Sequence, residues 1–298
     1  MSATPPVSIG LPVYNGERYL ASALDSLVGQ TFTDFELVIG DNGSTDATAE
    51  IAAAYAAADE RVRLMTSDIN RGAAWNYNRV FHATRGALFR WAAYDDLMRP
   101  AYLERLVRLA GEAPTETVLF QSRTTLIDED GAEVGDWDDR FDLSTSRPGT
   151  RLAALVRHLV MSNLFFGLVR RSAMERTRLH GAYPSADYVF LAELALLGPF
   201  AIEPERLFLR RVHPSMSRYA HTTLEDVADW FEPGTSGTVQ PETVRLFVEH
   251  LRAISHSPMR LDQKLGVTAV FLPAWMRRRR GRMARELWSM ATRRLRPS

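Results

Sequence analysis

The chain contains no cysteine among its 298 residues. Disulfides, thiolate zinc sites, iron–sulfur clusters and cysteine nucleophiles are therefore excluded. Its net charge is zero, with 36 basic and 36 acidic residues. That argues against a surface built for non-specific nucleic-acid binding. Lys264 is the only lysine, so nearly all positive charge is arginine. No uncharged apolar stretch reaches the ~18 residues of a membrane span. The longest candidate, Leu265 to Met276, is too short and contains Pro273. The opening Met1-Ser-Ala-Thr-Pro-Pro6 lacks the basic and apolar regions of a signal peptide. The expectation is a cytoplasmic protein. Three glycine signatures are also missing: Gly-x-Gly-x-x-Gly, the Walker loop and Gly-x-Ser-x-Gly. Their absence weakens a dinucleotide oxidoreductase, a P-loop NTPase and the common serine hydrolase.

What is present is ordinary globular composition, 46% hydrophobic and 24% charged. The first 120 residues alternate short apolar runs with helical spacing. Candidate strands are Val7–Leu11, Phe35–Ile39, Val62–Met65, Ala87–Trp91 and Thr117–Phe120. Helical patterns cover Tyr19–Val28, Asp46–Ala58 with Ser44 or Thr45 as cap, Gly72–Thr84 and Pro100–Ala110. That rhythm predicts βαβ units and a mostly parallel sheet, which binds ligands at the carboxyl ends of its strands. Polar clusters fall at those ends: Asn15–Glu17, Asp41–Asp46, Asn70–Gly72 and Asp95-Asp96. Further on, Ile127–Gly131 reads as a turn, Arg151–Leu159 as a helix and Phe165–Arg170 as a strand. An apolar helix Tyr188–Leu197 follows Asp187, and a strand Leu207–Val212 leads to His213. A rim rich in carboxylates and poor in basic residues suits a phosphorylated ligand held through a divalent metal.

The segments Val7-Ser-Ile-Gly-Leu-Pro-Val-Tyr-Asn-Gly-Glu17, Gln30-Thr31 and Phe35-Glu-Leu-Val-Ile-Gly-Asp-Asn-Gly-Ser-Thr-Asp46 resemble family 2 glycosyltransferases. So do Asn70-Arg-Gly72, Asn78, Gly86 and Asp95-Asp96, in that order. The resemblance is strong over residues 7 to 110, thinner to about 217 through Gly167, Arg170-Arg171, Asp187 and His213, and lapses after that. It implies a GT-A fold with a Rossmann-like nucleotide-binding half, an acceptor half and, here, a helical C-terminal extension. The expected division is 1–120, 121–217 and 218–298. It implies a nucleotide-sugar donor, Mn²⁺ or Mg²⁺, and inversion at the anomeric carbon. By position, Pro12, Tyr14 and Glu17 line the nucleotide pocket, Asp41 bonds the base and Arg71 lies near the nucleotide. Asp95 and Asp96 fall at the metal-binding motif, whose first Asp is here Ala93, which leaves open which aspartate ligates. Asp187 falls at the general base, its usual acidic neighbour replaced by Ala186. His213 matches a histidine near diphosphate and metal, and His213–Ser217 reads as a loop closing over the donor.

Each motif also has a plainer reading. Asp41 can begin a turn with Gly43, Asp95-Asp96 can cap the helix at Pro100, and Asp187 can cap the helix at Tyr188. A catalytically impaired nucleotide-sugar binder and a sugar nucleotidyltransferase are the rival functions. Expected partners are a donor, a UDP-sugar by preference, and a glycan or lipid-linked acceptor in cell-surface polysaccharide or glycoconjugate synthesis. From Arg277 to Ser298 there are nine arginines against the single acid Glu286, +8 in all, leaving −8 for the rest. The tail has three readings: a solvated helix face, contact with the inner face of the plasma membrane, or contact with nucleic acid, against which the zero net charge argues. In the second case Trp275, Met276, Met283, Leu287, Trp288, Met290 and Leu295 would supply the apolar side.

Overall fold

A computed structural model describes residues 4–139, 141–214 and 241–294, the last six by backbone alone. The chain opens with β1 (Val7–Val13), α1 (Glu17–Val28), β2 (Phe35–Asp41), α2 (Thr48–Ala58), β3 (Val62–Met65), α3 (Ala73–His82) and β4 (Leu88–Trp91). All seven residues of β1 are buried, as a strand covered by helices on both faces requires. β1 pairs in parallel with β2 and β4, and β2 with β3. The expected βαβ half is therefore present. α1 buries Tyr19, Leu20, Ala23, Leu24 and Leu27, one helical face.

The second half comprises β5 (Leu97–Met98), α4 (Tyr102–Glu112), β6 (Leu119–Ile127), β7 (Glu133–Trp137), α5 (Pro148–His158) and a 3₁₀ turn (Asn163–Phe166). It continues through β8 (Leu168–Arg170), α6 (Arg171–Met174), α7 (Ala186–Leu197) and β9 (Phe200–Arg211). The sheet order is β3-β2-β1-β4-β8-β6-β9-β5, with β7 against β6. This is a mixed α/β fold whose parallel N-terminal half carries antiparallel pairings at β8, β7 and β5.

Local differences from the sequence reading have physical causes. β9 begins at Phe200 rather than Leu207, because its register against β6 shifts around Ser122–Thr124 and so admits the polar stretch Glu203–Arg206. Of the expected strand Phe165–Arg170, Leu168–Arg170 is β8, whereas Phe165 and Phe166 belong to the 3₁₀ turn that ends at Gly167. Asp46, not Ser44 or Thr45, holds the start of α2, its Oδ1 accepting from Thr48 N at 3.0 Å. α7 includes Asp187 in its first turn.

α8 (Glu242–His256) and α9 (Leu261–Arg294) follow. α7 is apolar all round because it faces two cores. Phe190, Leu191 and Leu194 join the sheet core. Ala186, Val189 and Leu196 join a second core with Leu246, Phe271 and Trp275 of the terminal helices. Arg278 of α9 donates to the carbonyls of Val156 (3.0 Å) and Leu159 (2.6 Å), filling the open C-terminus of α5. The expected boundary at 217/218, and Ser215–Ser217 of the expected closing loop, lie outside the described residues.

Candidate active site

The rim is built where β1, β2 and β4 end. Pro12 pairs with Gly40 and Val13 with Asp41 in the parallel register, which puts Asp41 beside the end of β1. Asp41 is buried, and its Oδ1 accepts from Ser44 N at 3.2 Å. Two loops are laced together around it. Gly16 N donates to Thr48 Oγ1 (2.8 Å), Glu17 N to Asp46 Oδ2 (3.1 Å) and Ala47 N to Glu17 Oε2 (3.0 Å). The Glu17 carboxylate therefore shapes the loop. Tyr14 stands exposed at its tip. Tyr94 packs so closely on Gly16 that a Cβ there would lie 2.7 Å from its ring.

A buried amide network holds the next loop. Asn42 Nδ2 donates to Asn70 Oδ1 (2.8 Å) and Gly72 O (3.1 Å), and its Oδ1 accepts from Arg71 N (3.1 Å). Gly72 has φ +86°, a left-handed region that favours glycine. These bonds aim Arg71 outward, with its guanidinium 5.1 Å from the Trp75 ring.

Asp95 and Asp96 diverge. Asp95 is partly exposed, and its Oδ2 lies 3.0 Å from His213 Nε2. Asp96 is buried, and its Oδ1 accepts from Arg211 N at 2.9 Å, with Arg210 Nε at 3.7 Å. Its Oδ2 has no partner among the described residues. Burial pushes the Asp96 carboxyl up to about 7, against the pull of Arg210 and Arg90. Arg211 donates to Asp95 O (2.8 Å), Asp128 O (3.0 Å) and Glu129 O (2.8 Å), tying the β6–β7 turn to the aspartate loop. Its guanidinium and the His213 ring both rest on Tyr19, at 4.6 and 4.9 Å.

Asp187 joins this neighbourhood from α7. Desolvation raises its pKa, while the Ser162 hydroxyl, the Tyr188 amide and the charge of Arg210 oppose the rise. Arg210 thus acts on both Asp96 and Asp187. The phenol of Tyr77, its pKa raised by burial, senses Asp95, Arg210, Asp187 and Asp96 together. Among the described residues no group of three or more His, Asp or Glu is placed to hold a metal.

The sequence profile of glycosyl transferase family 2 matches residues 8–176. The chain belongs to this family. A putative glycosyltransferase, EpsH of Bacillus subtilis, is 32% identical over 176 residues, 59% of this chain and 50% of that protein. The chain thus matches half the length of that relative. An uncharacterized glycosyltransferase of Haemophilus influenzae is 23% identical over 72% of this chain and 67% of that one. In fold, S. aureus TarS 1–349 in complex with UDP-GlcNAc superposes with TM-score 0.65 at 17% identity, over 92% of this chain and 73% of that chain. The mannosyltransferase PcManGT of Pyrobaculum calidifontis, in complex with GDP-Man and Mn²⁺, gives TM-score 0.53 at 17% identity over 99% and 82%. The fold is GT-A.

In this family 2 chain the structure sets Asp41 beside Val13 at the end of β1, and separately joins Asp95 to His213 and Asp96 to Arg210, whose charge also acts on Asp187. Sequence reasoning missed Arg210, Arg211, Tyr19 and Tyr77. The two arginines directly precede Val212-His213 on a strand, where alternation sends neighbours to opposite faces. That signal was readable. A separate cavity of about 920 Å³, whose lining includes none of these site residues, is bounded by Ser122, Thr124, Trp137, Asp139, Phe141 and Asn163, among others. The last of these is next to Ser162, which bonds Asp187. Asn163 is buried and its Oδ1 has no partner among the described residues. Burial raises Asp139 to about 6.

Proposed function

We propose that the protein is an inverting, divalent-metal-dependent glycosyltransferase. It moves a sugar from a nucleotide-diphosphate donor, a UDP-sugar by preference, to an acceptor hydroxyl in cell-surface polysaccharide or glycoconjugate synthesis. One observation carries this reading: His213 lies 3.0 Å from Asp95 at the loop after β4, next to Asp96 and Arg210, and the charge of Arg210 reaches Asp187. The family match and the UDP-GlcNAc and GDP-Man bound to the two neighbours in fold support it.

In this reading Pro12, Tyr14 and Glu17 form the wall of the nucleotide pocket, Asp41 turns its second oxygen to the base and Arg71 faces the nucleotide. Asp95 and His213 fit two positions on a divalent cation. Their donor atoms lie 3.0 Å apart, about the spacing of adjacent ligands at ~2.1 Å. Two protein ligands, completed by phosphate oxygens and water, are the usual set for Mg²⁺-like ions. We assign ligation to Asp95, because its Oδ2 faces His213, whereas Asp96 is buried and its Oδ1 is taken by the β9 backbone and Arg210. When bound, Mn²⁺ or Mg²⁺ offsets the charge that grows on the departing diphosphate.

Asp187 takes the acceptor hydroxyl proton. Desolvation makes it a stronger base than an ordinary aspartate, and Arg210 limits its protonation. The cavity beside Asn163 receives the acceptor glycan, with Trp137 as a ring platform and the free Asn163 oxygen as hydroxyl acceptor. We place the catalytic unit at residues 1–217, working at the cytoplasmic face of a membrane, with 218–298 as its helical extension.

The test is a thermal-shift screen with UDP, GDP, CDP and dTDP, each with and without Mn²⁺ or Mg²⁺. A ligand at a hundred times its dissociation constant adds about 2.7 kcal/mol. A metal-dependent shift with one nucleotide supports the transferase. No shift with any nucleotide refutes it.

A further inference from the structure

Residues 265–276 of α9 carry no charged side chain. Val267, Phe271, Ala274 and Trp275 of this segment face inward and are buried. The sequence had offered Trp275 to the apolar outer side, but it packs against Phe247, Phe271 and His250. The outer side is made by other residues. Leu261 (73% exposed), Leu265 (63%), Leu272 (38%) and Met276 (42%) stand in solvent. At 100° per residue these four fall within about 60° of arc, and Leu287 (48% exposed) continues the stripe.

The arginines that follow divide by task. Arg278 is spent on the α5 carbonyls, Arg279 lies over Trp275, and Arg282 pairs with Glu242 and Glu286. Arg277, Arg280 and Arg285 are exposed. None of the three has a hydrogen bond or ion pair among the described residues. At the same 100° per residue Arg280 and Arg277 flank the stripe, about 40° and 100° beyond Met276, whereas Arg285 points to the side of Ala274 and Arg278. The apolar stripe thus carries unpaired cations along one flank.

We infer that this outward face of α9 docks on an anionic lipid bilayer. The stripe enters the headgroup boundary, and Arg277 and Arg280 on its flank meet the lipid phosphates. Charge decides the occupant. A second copy would bring its own unpaired arginines, whereas an anionic surface supplies apolar depth and negative charge at once. The docking itself stands apart from the donor-site reading. Its use, delivering the site to a lipid-linked acceptor, rests on the proposed function.

The test is flotation of the full chain with two vesicle types, phosphatidylcholine alone and phosphatidylcholine mixed with phosphatidylglycerol. Wild type floats with the anionic vesicles at least about tenfold more than with neutral ones, and high salt weakens it. The variant L265E/M276E stays folded, because both positions are exposed, and no longer floats. The variant R277Q/R280Q loses the preference for phosphatidylglycerol. Absence of wild-type flotation overturns the proposal. So does unchanged flotation of L265E/M276E, or a dimer that this variant splits without altering flotation. Nucleotide thermal shifts on the same variants stay at wild-type size, so failure here is distinguishable from failure of the donor site.

Discussion

The imidazole of His213 and the carboxylate of Asp95 meet at 3.0 Å although 118 positions separate them in the chain. The contact closes because β9 runs beside β5 and β6 and delivers His213 to the loop after β4. Arg211 fastens that loop by donating to the Asp95 carbonyl, and Tyr19 supports Arg211 and His213 from α1.

Removing either member of the pair tests metal binding directly. Asp95→Asn and His213→Ala should each weaken Mn²⁺-dependent nucleotide binding by at least about tenfold, the scale seen even for outer-sphere changes. Calorimetric titration of UDP with and without Mn²⁺ measures it. Equal metal dependence in wild type and both variants would reject the pair as ligands.

Asp187 predicts a pH profile. A general base works only when deprotonated, and its pKa is raised. The acid limb of kcat/KM should therefore lie above the ordinary carboxylate value near 4. Arg210→Met removes a charge that opposes the rise and should move the limb further toward neutral pH. Asp187→Asn should lower kcat by about 10²–10⁴ while sparing donor binding. An unshifted limb in Arg210→Met would remove Arg210 from this role.

Asn42→Ala should cost stability rather than chemistry. It strips partners from the Gly72 carbonyl, the Arg71 amide and Asn70 in a buried loop. A buried group left unsatisfied costs about 1–3 kcal/mol. Urea denaturation reads this, and an unchanged midpoint would show that water replaces the amide.

His250 and His180 predict acid sensitivity. Burial lowers both to about 4, against about 6.5 in the unfolded chain. Between these values the unfolded state binds the proton and the folded state does not. Their contribution is whole above pH 6.5 and falls as pH drops toward 4, by up to about 3 kcal/mol each. Asp96, raised to about 7, contributes with the opposite sign. Only the difference between wild type and His250→Phe isolates the histidine. The variant should lose less stability over pH 6.5 to 4, measured by thermal melts, and parallel curves would contradict this.

The parallel half was legible because each of its strands is a short apolar run between turn residues, and its helices bury one regular face. Val62–Met65 agrees residue for residue. The second half was harder. The two-residue β5 has no periodicity to detect, and the polar stretch within β9 hid its first half behind a shifted register. Asp95, Asp96, Asp187 and His213 could be named from motif order. Their division of labour could not, since adjacent aspartates look alike until one is buried under β9 and the other faces a histidine.

By itself the sequence determined the alternation of strands and helices, the polar rim at the strand ends, the absence of cysteine chemistry and the concentration of arginine at the C-terminus. Those properties are local: composition, spacing and turn chemistry fix them. Tertiary structure decided that Asp96 is buried against Arg210 while Asp95 faces His213, and that Arg210 influences Asp187. It also decided that Trp275 points inward while Leu265 and Met276 point out. Desolvation and Coulombic pairing depend on which distant segments share a neighbourhood, and only the packed chain sets that.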